Sequence, residues 1–129
     1  MRLFLLVLSG CFFISIVSAQ LAFQKGFTGS DYYTIFSVTQ CVDKGYVTTG
    51  YWGLPASNGT LLLMKADEEG RLLFSKKYPG TGAFTRGNCV QQTSDGGFII
   101  AGEAQADSTA SDLLLLKTDN NGNVEWSKS

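Results

Sequence analysis

The stretch CVQQTSDGGFIIAG at residues 89–102 decides the fold, because it repeats SVTQCVDKGYVTTG at residues 37–50. The match continues without a gap from residues 34–77 to residues 86–129, a constant shift of 52 positions. Of the 44 aligned pairs 13 are identical, and the turn glycines and apolar runs of the two copies coincide. The chain therefore contains an internal duplication, and its period is that of a structural repeat.

Each copy has the pattern of four short strands. Apolar residues come in short runs or alternate, and turn residues recur every 8 to 12 positions or so, which is typical of antiparallel β-structure. Leu61–Leu63 and Leu113–Leu116 are unbroken apolar runs, so we expect the third strand to be buried on both faces. The predicted strands cover about 35–41, 46–49, 61–66 and 72–76, and about 87–93, 98–101, 113–118 and 124–128.

Two kinds of turn recur between these strands. The first follows strand one and predicts a tight hairpin with positive φ, and the second joins strands three and four around a glycine at positive φ. Gly50 and Gly102 are expected to end strand two. The predicted structural turn residues are Asp43, Gly45, Asp67 and Gly70, with their mates Asp95, Gly97, Asp119 and Gly122.

Four antiparallel strands repeated at this period predict an all-β fold of β-meander repeats, each one a β-propeller blade. Only two blades are present, whereas roughly four to eight close a propeller. An incomplete propeller is expected, and three explanations stay open: a truncated chain, closure by oligomerisation, or a stand-alone two-sheet domain. The expected partners are accordingly further blades of the same protein or a homo-oligomer.

The N-terminus predicts export. Residues 3–17 are mostly apolar behind Arg2, and Val17-Ser18-Ala19 has the small-x-small form of a signal-peptidase site, so we assign 1–19 to a signal peptide. The uninterrupted apolar run is shorter than the roughly 20 residues of a membrane span, so no stable span is expected after cleavage. A lipoprotein signal ending at Cys11 and a membrane anchor are the alternatives. The expected location is the periplasm, the cell surface or the medium.

The rest of the chain divides by the repeat. Residues 23–27 resemble 74–78, so 20–32 are assigned to the outer strand of an adjoining blade. Residues 33–80 form the first propeller-like repeat and 81–129 the second.

Composition narrows the chemistry. The 129 residues include no histidine and carry a formal net charge of −1, which favours neither a conventional catalytic triad nor nucleic-acid binding. Cys41 and Cys89 occupy different places in their repeats, so buried free thiols are favoured over a disulfide. No catalytic residue, cofactor or metal site is predicted.

Residues 91–102, with Leu113–Thr118, 119–123 and 126–128, resemble a family of secreted propeller-like repeat proteins that are common in Bacteroidetes and mostly uncharacterised. The resemblance covers about residues 23–129. It implies the propeller architecture and says little about function. Such proteins often end in a sorting domain of the type IX secretion pathway, which this sequence does not contain.

Two motifs resemble known sites. Asp119-x-Asn121-x-Asn123 has alternating oxygen groups like a calcium loop, but its glycine is misplaced and a hairpin turn is favoured. Gly122-x-x-x-Trp126 is similar to the tryptophan-docking motif of quinoprotein propellers, with Phe74 in the equivalent place of the first copy. We expect both rings to pack between blades and expect no quinone chemistry.

The loop after strand two departs most from the repeat. Tyr51, Trp52 and Leu54 stand where the second copy has Glu103, Ala104 and Ala106. Function often sits on loops held by a rigid scaffold, so these three are the candidate contacts to a protein or carbohydrate ligand, with packing against a neighbouring blade as the alternative. The sequence therefore predicts a non-catalytic binding or scaffolding module. The alternative is the N-terminal part of a larger propeller enzyme whose active site lies in missing blades.

Overall fold

The protein forms two four-stranded antiparallel sheets, each a simple up-and-down meander. The computed structural model describes residues 26, 32–53, 59–80, 84–105 and 110–129. Sheet 1 contains β1 Tyr33–Gln40, β2 Tyr46–Trp52, β3 Thr60–Ala66 and β4 Leu72–Tyr78. Sheet 2 contains β5 Phe84–Gln92, β6 Phe98–Gln105, β7 Asp112–Thr118 and β8 Val124–Lys128. The predicted all-β fold of two four-stranded meanders is confirmed, and the two sheets are consistent with two blades.

The two sheets share their irregularities as well as their strands. The β1–β2 register shifts between Ile35 and Ser37, and the β5–β6 register shifts at the equivalent positions, Gly87 and Cys89. A second shift falls between β3 and β4 and between β7 and β8. A bulge inserts an unpaired residue and bends the strand, so the two copies curve alike.

The prediction that strand two ends at Gly50 and Gly102 is wrong, because β2 runs on to Trp52 and β6 to Gln105. These glycines lie opposite the bulges. A Cβ on Gly50 would lie 1.8 Å from the carbonyl oxygen of Thr34. Close approach of the bulged backbone therefore requires glycine within a continuing strand.

The sheets stack face to face, with β5 lying against β1, β2 and β3. Thr39 Oγ1 donates to the carbonyl oxygen of Val90 across the interface at 2.8 Å. Phe74 packs on Phe98, with ring centroids 6.3 Å apart. The buried core lies between the sheets and consists of Cys41, Val47, Leu61, Leu63, Val90, Phe98, Ile100 and Leu116.

The expected burial of strand three on both faces holds for the first copy only. Leu61, Leu62 and Leu63 are fully buried, whereas Leu113 is 69% exposed. The two copies differ because a sheet 1 residue that faces sheet 2 has its repeat equivalent on the outer face of sheet 2.

No helix long and apolar enough to cross a membrane occurs in the described residues. The signal-peptide assignment at 1–19 lies outside the described residues, as does nearly all of the strand assigned to 20–32.

Candidate functional site

The hairpin turn of each sheet is fastened by a buried lysine. Lys65 Nζ lies 2.8 Å from Asp43 Oδ2, and the lysine side chain is 6% exposed. At the equivalent place Lys117 Nζ lies 2.8 Å from Asp95 Oδ2. These repeated lysines therefore hold turns, because each ammonium spans from a central strand to the hairpin beside it.

Hydrogen bonds from the ammonium groups set the charge state of the two aspartates. The bond from Lys65 lowers the pKa of Asp43, and Asp43 Oδ1 also accepts from the Gly45 amide at 3.0 Å. The bond from Lys117 likewise lowers the pKa of Asp95, and hydrogen bonding to Asp95 raises the pKa of Lys117. Both aspartates are therefore held in the ionised form at neutral pH.

The tight hairpin with positive φ that was expected after strand one is confirmed. Positive φ falls on Lys44 (65°) and Gly96 (83°). A Cβ on Gly45 would lie 2.4 Å from the carbonyl oxygen of Ala66, and one on Gly97 would lie 2.2 Å from that of Thr118. Gly45 and Gly97 thus make room for the neighbouring strand, and the residue before each of them adopts the positive φ of the turn.

The second turn uses its aspartate as a backbone acceptor. Asp67 Oδ1 accepts from the amides of Glu69 and Arg71, and Asp119 Oδ1 accepts from those of Asn121 and Asn123. The positive φ expected at the turn glycines is confirmed, at 77° for Gly70 and 73° for Gly122.

The loop that resembled a calcium site is organised by these same bonds. Asp119 Oδ2 also accepts from the Asn123 side-chain amide at 2.8 Å, and Lys76 Nζ lies 2.6 Å from Asn123 Oδ1. No three His, Cys, Asp or Glu side chains converge as metal ligands within the described residues. The geometry is that of a hairpin turn in contact with sheet 1.

The structure separates the three predicted contact residues. Tyr51 is 9% exposed and faces sheet 2, whereas the adjacent Trp52 lies on the opposite face of β2, as strand alternation requires. Lys77 Nζ lies 3.5 Å from the centroid of the Trp52 ring. The indole N–H of Trp52 is buried without a hydrogen-bond partner. Leu54 lies outside the described residues.

Tyr51 belongs to a group of side chains that the sequence did not bring together. Its ring centroid is 6.0 Å from that of Phe36 and 5.5 Å from that of Phe84. The guanidinium carbon of Arg86 lies 5.6 Å from the Phe36 centroid and 5.7 Å from the Phe84 centroid. Phe36 is 47% exposed, so an aromatic face and a cation reach the surface together.

A carboxylate completes the group. Glu103 Oε1 accepts from Arg86 Nη2 at 2.7 Å, from Arg86 Nε at 3.2 Å and from Asn88 Nδ2 at 3.0 Å. The bonds from Arg86, and then from Asn88, lower the pKa of Glu103. We name this group the aromatic–arginine cluster; its members are Phe36, Tyr51, Phe84, Arg86, Asn88 and Glu103.

A signal for the cluster was present in the repeat. Thr34, Phe36 and Tyr51 of the first copy are replaced together by Arg86, Asn88 and Glu103 in the second. Residues of the two copies come into contact only because the sheets stack. Aligning the copies therefore shows which residues differ but not that they meet.

The two predicted aromatic pegs have different surroundings. Phe74 packs against Phe98 of the other sheet, as expected for a ring between blades. Trp126 is 43% exposed on the outside of sheet 2. Both cysteines are free thiols; Cys41 is buried as expected, whereas Cys89 is exposed, so the expected burial is wrong for Cys89.

No protein-family model matches the chain, and a search of curated proteins finds none that is significantly similar.

Proposed function

We propose that the chain is an exported, non-catalytic repeat module that binds carbohydrate through the aromatic–arginine cluster, outside the cell or at its surface. The observation that carries the proposal is the exposed Phe36 ring beside a guanidinium and a carboxylate. Aromatic rings stack on the apolar faces of sugars, and a few fixed polar groups then select orientation through hydroxyl groups.

The cluster has the rigidity that such recognition needs. Arg86 is fixed by two bonds to Glu103 and lies over two rings, so little side-chain freedom remains to be lost on binding. Glu103 still has a second carboxylate oxygen for a hydroxyl donor. Its lowered pKa keeps it ionised and an acceptor at neutral pH.

The non-catalytic part of the proposal is supported by the repeated lysines and aspartates. Asp43 with Lys65 and Asp95 with Lys117 make the same turn contacts in both sheets. A catalytic pair is rarely duplicated in every unit of a repeat, whereas a structural one must be. The export part is supported by the signal-like residues 1–19 and by the resemblance to secreted propeller-like proteins.

Binding is tested by measuring retention of the purified chain on a glycan array and on insoluble polysaccharides. Phe36→Ala and Glu103→Gln are expected to lower affinity at least tenfold. Trp126→Ala, which removes an exposed aromatic residue elsewhere, is the matched control and should bind normally. Binding that survives Phe36→Ala and Glu103→Gln but is lost in Trp52→Ala would move the site to the end of β2.

Two further measurements address the rest of the proposal. Release of sugar from a bound polysaccharide would contradict a non-catalytic module. Mass spectrometry of the chain expressed with residues 1–19 in a Gram-negative host should find a mature N-terminus at Gln20.

A further inference from the structure

The two outer faces of the stack are equivalent, through the repeat, to the two faces that pack together at its inner interface. The outer face of sheet 1 carries Ile35, Val38, Tyr46, Met64 and Leu72, whose mates Gly87, Val90, Phe98, Leu116 and Val124 lie on the side of sheet 2 that packs on sheet 1. The outer face of sheet 2 carries Ala101, Leu113 and Trp126, the mates of the interface residues Thr49, Leu61 and Phe74.

Burial shows the relationship directly. Val90 is fully buried and its mate Val38 is 62% exposed. Leu61 is fully buried and its mate Leu113 is 69% exposed. The apolar side chains of these two pairs are thus covered in one copy and open in the other, and exposed apolar side chains of this kind are typical of a surface that a partner covers.

The residues that differ between the copies differ as complementary pairs. Within the interface a Cβ on Gly87 would lie 2.1 Å from Thr49 Oγ1, so a residue without a side chain meets a β-branched one. On the outer faces the equivalent pair is Ile35 and Ala101, a large residue with a small one. Close packing requires such exchange of volume between facing positions.

One other facing pair is aromatic both in the interface and on the outer faces. Phe74 packs on Phe98 in the interface, and the outer faces present Trp126 and Tyr46 at these places.

Polar contacts of the interface also have outer counterparts. Gln92 Oε1 accepts from the amide of Val42 at 2.9 Å, and its mate Gln40 offers the same group on the outer face of sheet 1. Lys76 contacts Asn123, and its mate Lys128 would meet Arg71. Arg71 is already paired with Asp67 and Glu69, so the repulsion at this surface position is small.

We infer that a second copy of this chain docks head to tail, placing the outer face of its sheet 2 on the outer face of sheet 1 of the first. The recipient face has a groove of about 540 Å³ whose lining includes Gly26, Ile35, Met64 and Leu72. In the proposed contact Leu113 and Trp126 of the incoming copy face this groove. The contact is heterologous, so it leaves one face of each kind open and extends until a ring closes. With two sheets a chain, roughly two to four copies would supply the four to eight blades of a closed propeller.

This inference goes beyond the proposed function and is tested separately from it. Its test uses two variants outside the aromatic–arginine cluster, Val38→Glu on the outer face of sheet 1 and Leu113→Glu on that of sheet 2. Light scattering after size-exclusion chromatography of the purified full chain should give a discrete mass of two to four copies. Each variant alone should be monomeric, because each lacks one half of every contact.

The decisive measurement is the equimolar mixture of the two variants. Val38→Glu retains the outer face of sheet 2 and Leu113→Glu retains that of sheet 1, so the mixture should form a complex of two chains and none larger. Val42→Glu, a substitution of a 90% exposed turn residue, is the control and should assemble like the wild type.

Three results would overturn the inference. One is a wild-type chain that stays monomeric up to millimolar concentration; another is association that persists in both variants. The third is association abolished by only one of the two substitutions, which indicates a two-fold symmetric contact. A monomer that still binds glycans would remove the inference and leave the proposed binding function standing, since neither substitution touches the cluster.

Discussion

The ammonium of Lys65 contacts both carboxylate oxygens of Asp43, at 2.9 and 2.8 Å, from a side chain that is 6% exposed. Lys117 differs in having a second partner, Glu125, at 2.9 Å. Leu73 occupies the position of Glu125 in the first copy. The lysine that holds the hairpin turn therefore pairs with two carboxylates in sheet 2 and with one in sheet 1.

We expect Asp43→Asn to destabilise the protein by about 1–3 kcal/mol, because it leaves a buried ammonium without its charged partner. Asp95→Asn should cost less, since Lys117 keeps Glu125. Urea unfolding followed by tryptophan fluorescence measures both. The double variant with Asp95→Asn and Glu125→Gln should lose as much stability as Asp43→Asn does. Equal losses of stability in Asp43→Asn alone and Asp95→Asn alone would contradict this account.

The same pairs predict a loss of stability in acid. Each aspartate has a pKa below its ordinary value in the folded protein, so the pairs stabilise the fold above that ordinary value and the contribution is lost as the pH falls. The melting temperature should decline below about pH 4, and it should decline less steeply in a variant carrying both Asp43→Asn and Asp95→Asn. A parallel decline in variant and wild type would show that other carboxylates are responsible.

Tyr78 predicts the alkaline limit. Its hydroxyl donates to the carbonyl oxygen of Gly122 at 2.7 Å, and burial, with a smaller contribution from Asp119, raises its pKa to about 12. In the unfolded chain the Tyr78 hydroxyl ionises near pH 10. The stability that Tyr78 contributes is therefore complete below pH 10 and is lost as the pH rises towards 12. The loss amounts to about 2 kcal/mol, discounted for partial exposure. Tyr78→Phe should be less stable at pH 8 but lose less between pH 9 and 11 than the wild type does.

At Gly87 the interface between the sheets has no room for a side chain. A methyl group there would lie 2.1 Å from Thr49 Oγ1 and 2.9 Å from Ile100 Cγ2, both of them inside the core. We expect Gly87→Ala to destabilise the protein by about 1–3 kcal/mol through overpacking. Thr49→Ala in the same chain should recover part of that loss, and a purely additive double variant would show that the two side chains do not compete for space.

Lys44 predicts a stabilising change. It holds φ at 65°, where Gly96 stands in the second copy, and a residue with a side chain is strained there. Lys44→Gly should raise stability by about 0.5–1 kcal/mol, and Gly96→Lys should lower it by a similar amount. Denaturation midpoints of the two variants measure the pair, and a loss of stability in Lys44→Gly would show that its conformation carries no strain.

Local signals gave most of the fold correctly. The alternation within 46–49 and the apolar run at 61–66 were enough to place strands, because both patterns depend on neighbours along the chain. Asp67 and Gly70 were enough to place a turn for the same reason. A bulge is a relation between two strands, so local patterns do not predict it. Gly50, predicted to end strand two, lies opposite a bulge within a continuing strand.

The candidate site was less predictable because it depends on stacking. Tyr51 was identified by its departure from the repeat, but its contacts with Phe84 and Arg86 come from a strand of the other sheet. Strand alternation alone separates Tyr51 from Trp52, which a loop-based interpretation had grouped together. Which copy of a residue is buried depends on the order of the sheets, and no local pattern encodes that order.

The up-and-down meander has a consequence for how the chain reaches its native state. Every strand pairs with its neighbour in sequence, so each sheet closes through short loops and low contact order. The slower event is the docking of β5 against β1, β2 and β3, which needs sheet 1 as its template. Synthesis delivers the first sheet before the second. The order of synthesis is thus also an order of assembly, in which the first completed sheet presents the surface on which the second one folds.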